Sequence, residues 1–174
     1  MVNGGRRLML LRHAKSDWAD AVTPDAKRPL SPDGREACVL VAAHFTAEHL
    51  APDLILCSSA LRTRQTVQRI AAALPPDVPV LTEDRLYLAG PDELLGRLRE
   101  VDDGVPSLLL VGHNPGIHAL AVGLLAQPDR ALIPTFPTAA LAVLDLGTRR
   151  WAELGPASTR FGSFVTPRSL RHAS

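Results

Sequence analysis

No apolar run in the chain approaches the roughly 20 residues that a membrane-spanning helix needs. Cysteine is nearly absent: Cys38 and Cys57 are the only two in 174 residues. Both fall in apolar surroundings of predicted elements, which predicts two buried free thiols and a reducing compartment. Charge of one sign is also missing. Nineteen Lys and Arg against eighteen Asp and Glu leave a formal net charge of +1, so the whole chain carries no footprint for nucleic acid or a membrane surface. Any basic cluster that matters is local. The short run Leu8–Leu11 is stopped by Arg12 and His13, well under the core of about 7–15 apolar residues in a secretion signal. The expected compartment is the cytoplasm.

Several chemistries are excluded by missing motifs. There is no G-x-x-x-x-G-K-[ST] loop for a nucleoside triphosphate and no G-x-S-x-G elbow for an α/β-hydrolase. A dinucleotide fold would carry G-x-G-x-x-G after the first strand, where Arg12-His13-Ala14 stands instead. No His/Cys spacing suggests zinc, since His113 and His118 are not one helical turn of four apart. No internal repeat, low-complexity segment or interior linker is present.

What is present is an alternation of short apolar runs and helical patterns. Leu8–Leu11, Leu54–Cys57, Val78–Leu81, Leu108–Val111 and Ala140–Leu146 read as strands. Three of them are continuously apolar, as in strands buried on both faces of a largely parallel sheet. Ser31-Pro32-Asp33 offers a cap, a proline and a first-turn acid for a helix carrying Ala37, Leu40, Val41 and Phe45. Thr63, Val67, Ile70 and Leu74 repeat at helical spacing up to Pro75-Pro76. Asp92 is expected to cap a third helix and Pro115 to open a fourth. The segment Trp151–Phe164 is expected to supply one or two edge strands, Ile133–Pro137 a loop, and residues 166–174 a tail beyond a domain core of about 7–165. The pattern predicts one α/β domain with helices on both faces of the sheet.

In such sheets ligands gather beyond the carboxyl ends of the strands. Three strand ends here release unusual residues: Arg12-His13-Ala14-Lys15-Ser16, Ser58-Ser59-Ala60-Leu61-Arg62 and Gly112-His113-Asn114-Pro115-Gly116. Two arginines and two histidines meeting at one edge make a site for an anion with several oxygens. Guanidinium forks match phosphoryl oxygens two at a time. The helix starting near Ser59–Arg62 adds N–H donors. A neutral imidazole can attack phosphorus, and a second can donate to oxygens as charge builds. Taken singly, each piece also fits a satisfied structural residue, a helix cap or a turn; their joint placement carries the functional reading.

These residues resemble a known family. Leu10 to Trp18 is similar to the R-H-G signature of histidine phosphatases in its SixA-like form, with Ala14 for the glycine. Asp25–Ser31 followed by Gly34 resembles that branch's D-x-x-R-P-L-x-x-x-G segment. Ser58–Thr66 resembles the second arginine motif, Leu86–Ala89 the L-Y-x-A element, and Gly112–Pro115 the second histidine motif. The resemblance runs from about Leu8 to Leu146. It implies a three-layer αβα sandwich with a mostly parallel central sheet, of phosphoglycerate mutase-like type without a large cap insert. It makes His13 the phosphorylated nucleophile, with Arg12, Arg62 and His113 completing the phosphate site. Ser16 matches a position near the phosphate. Arg28 is either on the rim of the site or a surface arginine bracing the loop through Asp25. No metal and no cofactor are implied.

Two departures bear on substrate. Mutase-like relatives carry an asparagine where this chain has Ala19, and a glutamate general acid in a helical insert between the second arginine and second histidine. Here that interval is short, and Glu83 and Asp84 are expected to be solvated rather than catalytic. A phosphomonoester gains about a hundredfold or more from a proton donor, whereas phosphohistidine leaves as an imidazole. The partner expected is therefore a phosphorylated protein bearing phosphohistidine. The alternatives are a broad phosphomonoesterase on small phosphorylated metabolites and a domain that binds phosphate ligands without turnover.

Overall fold

The chain was analysed as a computed structural model that describes residues 5–18, 20–127 and 129–172. Ala19, whose identity separates this chain from mutase-like relatives, lies outside the described residues. Six strands form one sheet: β1 (Arg6–Arg12), β2 (Leu54–Ser58), β3 (Val80–Glu83), β4 (Ser107–Gly112), β5 (Leu141–Gly147) and β6 (Arg160–Val165). Their order is β3-β2-β4-β1-β5-β6. The first four are parallel to one another, and β5 runs antiparallel to both β1 and β6.

The sandwich follows from strand periodicity. Leu8 to Leu11 are fully buried, and successive side chains point to opposite faces. Leu8 and Leu10 enter the core shared with α3 (Pro91–Arg99) and α4 (Gly116–Leu124). Met9 and Leu11 enter the core shared with α1 (Pro32–Ala47) and α2 (Leu61–Ile70). Cys38 and Cys57 are free and buried, and burial pushes their thiols up to about 11 and about 12. Among the described residues, no helix is long and apolar enough to cross a membrane.

Three elements differ from expectation: β3, α3 and the C-terminal segment. β3 sits two residues later than its apolar run, because Ile55 pairs with Val80 while Pro79 has only a carbonyl to offer, taken by the Ile55 N–H. α3 is capped by Gly90 rather than Asp92. Pro91 fills the first turn, and the Glu93 carboxylate accepts from the Gly90 N–H at 2.8 Å. Trp151–Glu153 is a short 3-10 turn that buries the indole and leaves β6 as the edge strand.

The segment read as a tail is partly a helix, α5 (Pro167–His172). Thr166 and Ser169 exchange hydrogen bonds between backbone N–H groups and hydroxyls, at 2.9 and 3.1 Å. Pro167 stands in the first turn, and Leu170 packs on the core under α1. The capping pattern was present in Thr166-Pro167-Arg168-Ser169; what concealed it was the shortness of the helix.

Candidate active site

The sheet order puts the carboxyl ends of β2, β4 and β1 side by side. Arg12 pairs with Gly112 and Cys57 with Val111, so the three expected loops leave at one level. The loop after β1 is tied on every side. His13 N–H donates to the Gly112 carbonyl, Ala139 N–H to the Arg12 and His13 carbonyls, and Ala14 N–H to Thr66 Oγ1 on α2. Asp17 N–H donates to the Pro29 carbonyl, and Ser31 N–H to the Lys15 carbonyl. Gly34, in the first turn of α1, lies so close that a Cβ there would overlap the Lys15 carbonyl. That contact is the physical reason for the glycine in this segment.

All six expected site residues, Arg12, His13, Ser16, Arg28, Arg62 and His113, line one cavity of about 240 Å³. The His13 and His113 rings are 5.2 Å apart between centroids. Hydrogen bonding sets the tautomer of His13. Its Nδ1 lies 2.8 Å from the Ala14 carbonyl, which can only accept, so Nδ1 carries the proton. Its Nε2 lies 3.3 Å from Arg62 Nε, which can only donate, so Nε2 is unprotonated and its lone pair accepts from Arg62. By the same logic Arg62 Nη2, 3.4 Å from His113 Nδ1, leaves that nitrogen bare. His113 Nε2–H then donates to Ser58 Oγ at 2.7 Å. Arg12 is anchored through Nη1 to the Phe136 carbonyl at 3.0 Å, so the proline-rich loop serves the site.

Burial and the neighbouring guanidinium groups keep both rings neutral. Desolvation lowers His13 to about 4, with Arg62, Arg12 and Arg28 pushing the same way against the Ala14 carbonyl. Desolvation, then His13 and Arg62, lower His113 to about 3.

This makes stability depend on pH in a definite direction. An unfolded histidine titrates near 6.5, so between about pH 6.5 and 4 the unfolded chain binds protons that the folded one refuses. Stability therefore falls as pH drops through that window. The urea midpoint is expected to fall between pH 7 and pH 5, and to fall less in His113→Asn. An equal fall in both proteins would show that His113 is not held neutral.

Asp25 was not singled out as a site residue, yet it organises the site. Its backbone carbonyl accepts from Arg62 Nη1 at 2.7 Å, and its Oδ2 from Arg62 Nη2 at 2.9 Å and Tyr87 Oη at 2.6 Å. Its Oδ1 accepts from Arg28 Nη1 at 3.0 Å. The Tyr87 hydroxyl, then Arg62 and Arg28, lower the Asp25 carboxyl to about 2. The only sequence signal was the three-residue spacing of Asp25 and Arg28. Arg28 is no surface arginine: it lines the cavity, braces Asp25, and donates from Nη2 to Ser16 Oγ at 2.8 Å.

Ser58 is not the cap of α2, a position that Ala60 holds; its hydroxyl is instead bonded to His113. Tyr87 meets the His113 ring edge-on at 5.6 Å. Gly116 presses against the segment after Tyr87, where a Cβ would overlap the Ala89 carbonyl. Glu83 is not solvated as expected. It accepts from Arg97 Nη2 at 2.8 Å and Arg85 Nε at 2.7 Å, because β3 delivers it beside α3. Neither Glu83 nor Asp84 lines the cavity, and among the described lining residues there is no carboxylate.

Residues 8–87 match the histidine phosphatase superfamily (branch 1). An uncharacterized protein of Mycobacterium tuberculosis (strain H37Rv) is 35% identical over 164 residues, 91% of this chain and all of that one. Phosphohistidine phosphatase SixA of Escherichia coli K12 is 26% identical over 168 residues, covering 91% of this chain and 99% of that one. A solved structure from Nakamurella multipartitia, provisionally named phosphohistidine phosphatase SixA, is 33% identical with a TM-score of 0.82. It covers 94% of this chain and 97% of its own.

Proposed function

The chain belongs to the histidine phosphatase superfamily and is a phosphatase, and from that premise we propose that it removes the phosphoryl group of phosphohistidine on a partner protein, through a phosphorylated His13. The observation that carries the substrate is that, among the described residues, no carboxyl group lines the cavity to protonate an alkoxide. The carboxylate nearest the reacting groups is Asp25, and it is held ionised down to about pH 2. The similarity to SixA proteins supports the same reading.

In this mechanism Arg12 and Arg62 hold the phosphoryl oxygens, with Ser16 and Arg28 behind them. His13 Nε2 attacks phosphorus with its lone pair, and the bond from phosphorus to the substrate imidazole breaks. The departing ring keeps the electron pair. Protonation of its distal nitrogen by water beforehand lets it leave as neutral imidazole. His13 then bears the phosphoryl on Nε2 and a proton on Nδ1, and the Ala14 carbonyl at 2.8 Å faces the resulting cation. An entering phosphoryl dianion attracts a proton to His113 against the desolvation that keeps the ring neutral, so its Nδ1 takes up a proton and donates to a phosphoryl oxygen. Water next attacks phosphorus and the electron pair returns to Nε2. The protons of water leave on inorganic phosphate and to solvent.

The test is kcat/KM for a phosphohistidine-bearing protein, an aryl phosphate and an alkyl phosphate. The expected order is phosphohistidine first and alkyl phosphate last. Asp25→Asn should slow all three alike, because it loosens Arg62, and Glu83→Gln should slow none. Alkyl phosphate turned over as fast as phosphohistidine, with a loss in either variant confined to that ester, would reveal a general acid. A small-metabolite phosphomonoesterase would then be the better description.

A further inference from the structure

Two apolar side chains stand exposed at the mouth of a cationic cavity. Trp18 is 81% exposed and Leu88 is 53% exposed, and both belong to the cavity lining. Neither is a stray surface residue. Leu88 has a φ of 51°, in the left-handed region that a branched side chain adopts only against strain. The chain is clamped on either side of it. Tyr87 is bound through its hydroxyl to Asp25, and the Ala89 carbonyl is wedged against Gly116. Trp18 is fixed differently: the Arg28 guanidinium carbon lies 3.5 Å from its ring centroid. Arg28 is itself tied to Asp17, Asp25 and Ser16. With one face on Arg28 and most of its surface in solvent, the ring leaves its other face open.

In-line attack from His13 places the leaving group opposite Nε2, on the outward side of phosphorus. The polar floor of the cavity is occupied by the phosphoryl oxygens, so the leaving group meets the rim. We propose that Trp18 and Leu88 form a leaving-group subsite that grips a flat aromatic ring, the imidazole of phosphohistidine on the reading above. The open Trp18 face stacks on the ring, and Leu88 closes its edge. The subsite selects among phosphoryl compounds by the shape and polarity of what departs, and it leaves binding of the phosphoryl group itself untouched.

The experiment compares three small substrates that share the phosphoryl group. Phosphoimidazole and phenyl phosphate carry a ring; phosphoramidate carries none. Trp18→Ala and Leu88→Asn are each expected to raise KM for the two ring substrates about tenfold. KM for phosphoramidate and inhibition by inorganic phosphate should change less than twofold. Asparagine accepts the left-handed backbone, so Leu88→Asn removes the apolar contact without disturbing the chain or Arg28. An equal loss on phosphoramidate would mean that the two residues only shape the cavity and would overturn the proposal. A loss confined to a phosphorylated protein, with phosphoimidazole unaffected, would overturn it too, since the rim would then read the protein surface. If the wild type prefers phenyl phosphate to phosphoimidazole while both variants still lose on each ring substrate, the subsite stands and the phosphohistidine reading falls.

Discussion

His13→Ala is expected to lower kcat by about ten-thousandfold or more while phosphate still binds. In the proposed mechanism the imidazole supplies the nucleophile. Its Nε2 accepts from Arg62 Nε and is free of a proton above about pH 4. Removing a nucleophile that forms a covalent intermediate costs losses of this order, with the remaining rate coming from binding and charge stabilisation. Arg12 and Arg62 keep their anchors on Phe136 and Asp25 without His13. The variant should therefore hold inorganic phosphate within about tenfold of the wild-type affinity, because charge-assisted bonds to guanidinium supply most of the binding. Rapid quench of the wild type should trap a base-stable, acid-labile phosphoryl group on His13. Activity in the alanine variant within a hundredfold of wild type, with nothing trapped, would mean that water attacks the substrate directly.

Arg62→Lys is expected to cost about a hundred- to a thousandfold in kcat/KM although the charge is kept. Arg62 touches four groups in one plane: His13 Nε2, the Asp25 carbonyl, Asp25 Oδ2 and His113 Nδ1. An ammonium is a point charge on a flexible stem and cannot span that set. Losing one preorganised donor in such a site costs about a hundred- to a thousandfold. The variant also releases His13 from the Nε donor, so both kcat and KM should suffer. A drop of only a fewfold would show that Arg62 acts through charge alone and that the fork geometry is incidental.

The depth at which the site could be read differed from residue to residue. Arg12, His13, Arg62 and His113 were legible because each follows directly on an apolar strand or the turn after it. Asp25 was not, since its partners Arg62 and Tyr87 are 37 and 62 residues away in the chain. No local pattern announces such a contact. The same holds for Ser58, whose bond to His113 crosses 55 residues. Its position before a helix favoured the simpler reading of a cap. Glu83 was taken as solvated because an acid beside a short edge strand usually is. Its burial against Arg97 depends on where α3 crosses β3.

Sequence by itself determined the layers and the four side chains, Arg12, His13, Arg62 and His113, that meet in the cavity. Hydrophobic runs, proline and glycine act over a few residues, and a parallel sheet must open its ligand site at the carboxyl ends of its strands. Gly34 and Gly116 have their reason only in the tertiary structure, in the close approach of the Lys15 and Ala89 carbonyls. Only the tertiary structure decided which nitrogen of His13 carries the proton, because the Ala14 carbonyl and Arg62 Nε approach from different elements. It alone brought Asp25 under Arg62, and it alone set Trp18 and Leu88 on one rim. Those are contacts between segments far apart in the chain, and their geometry comes from packing rather than from local propensity.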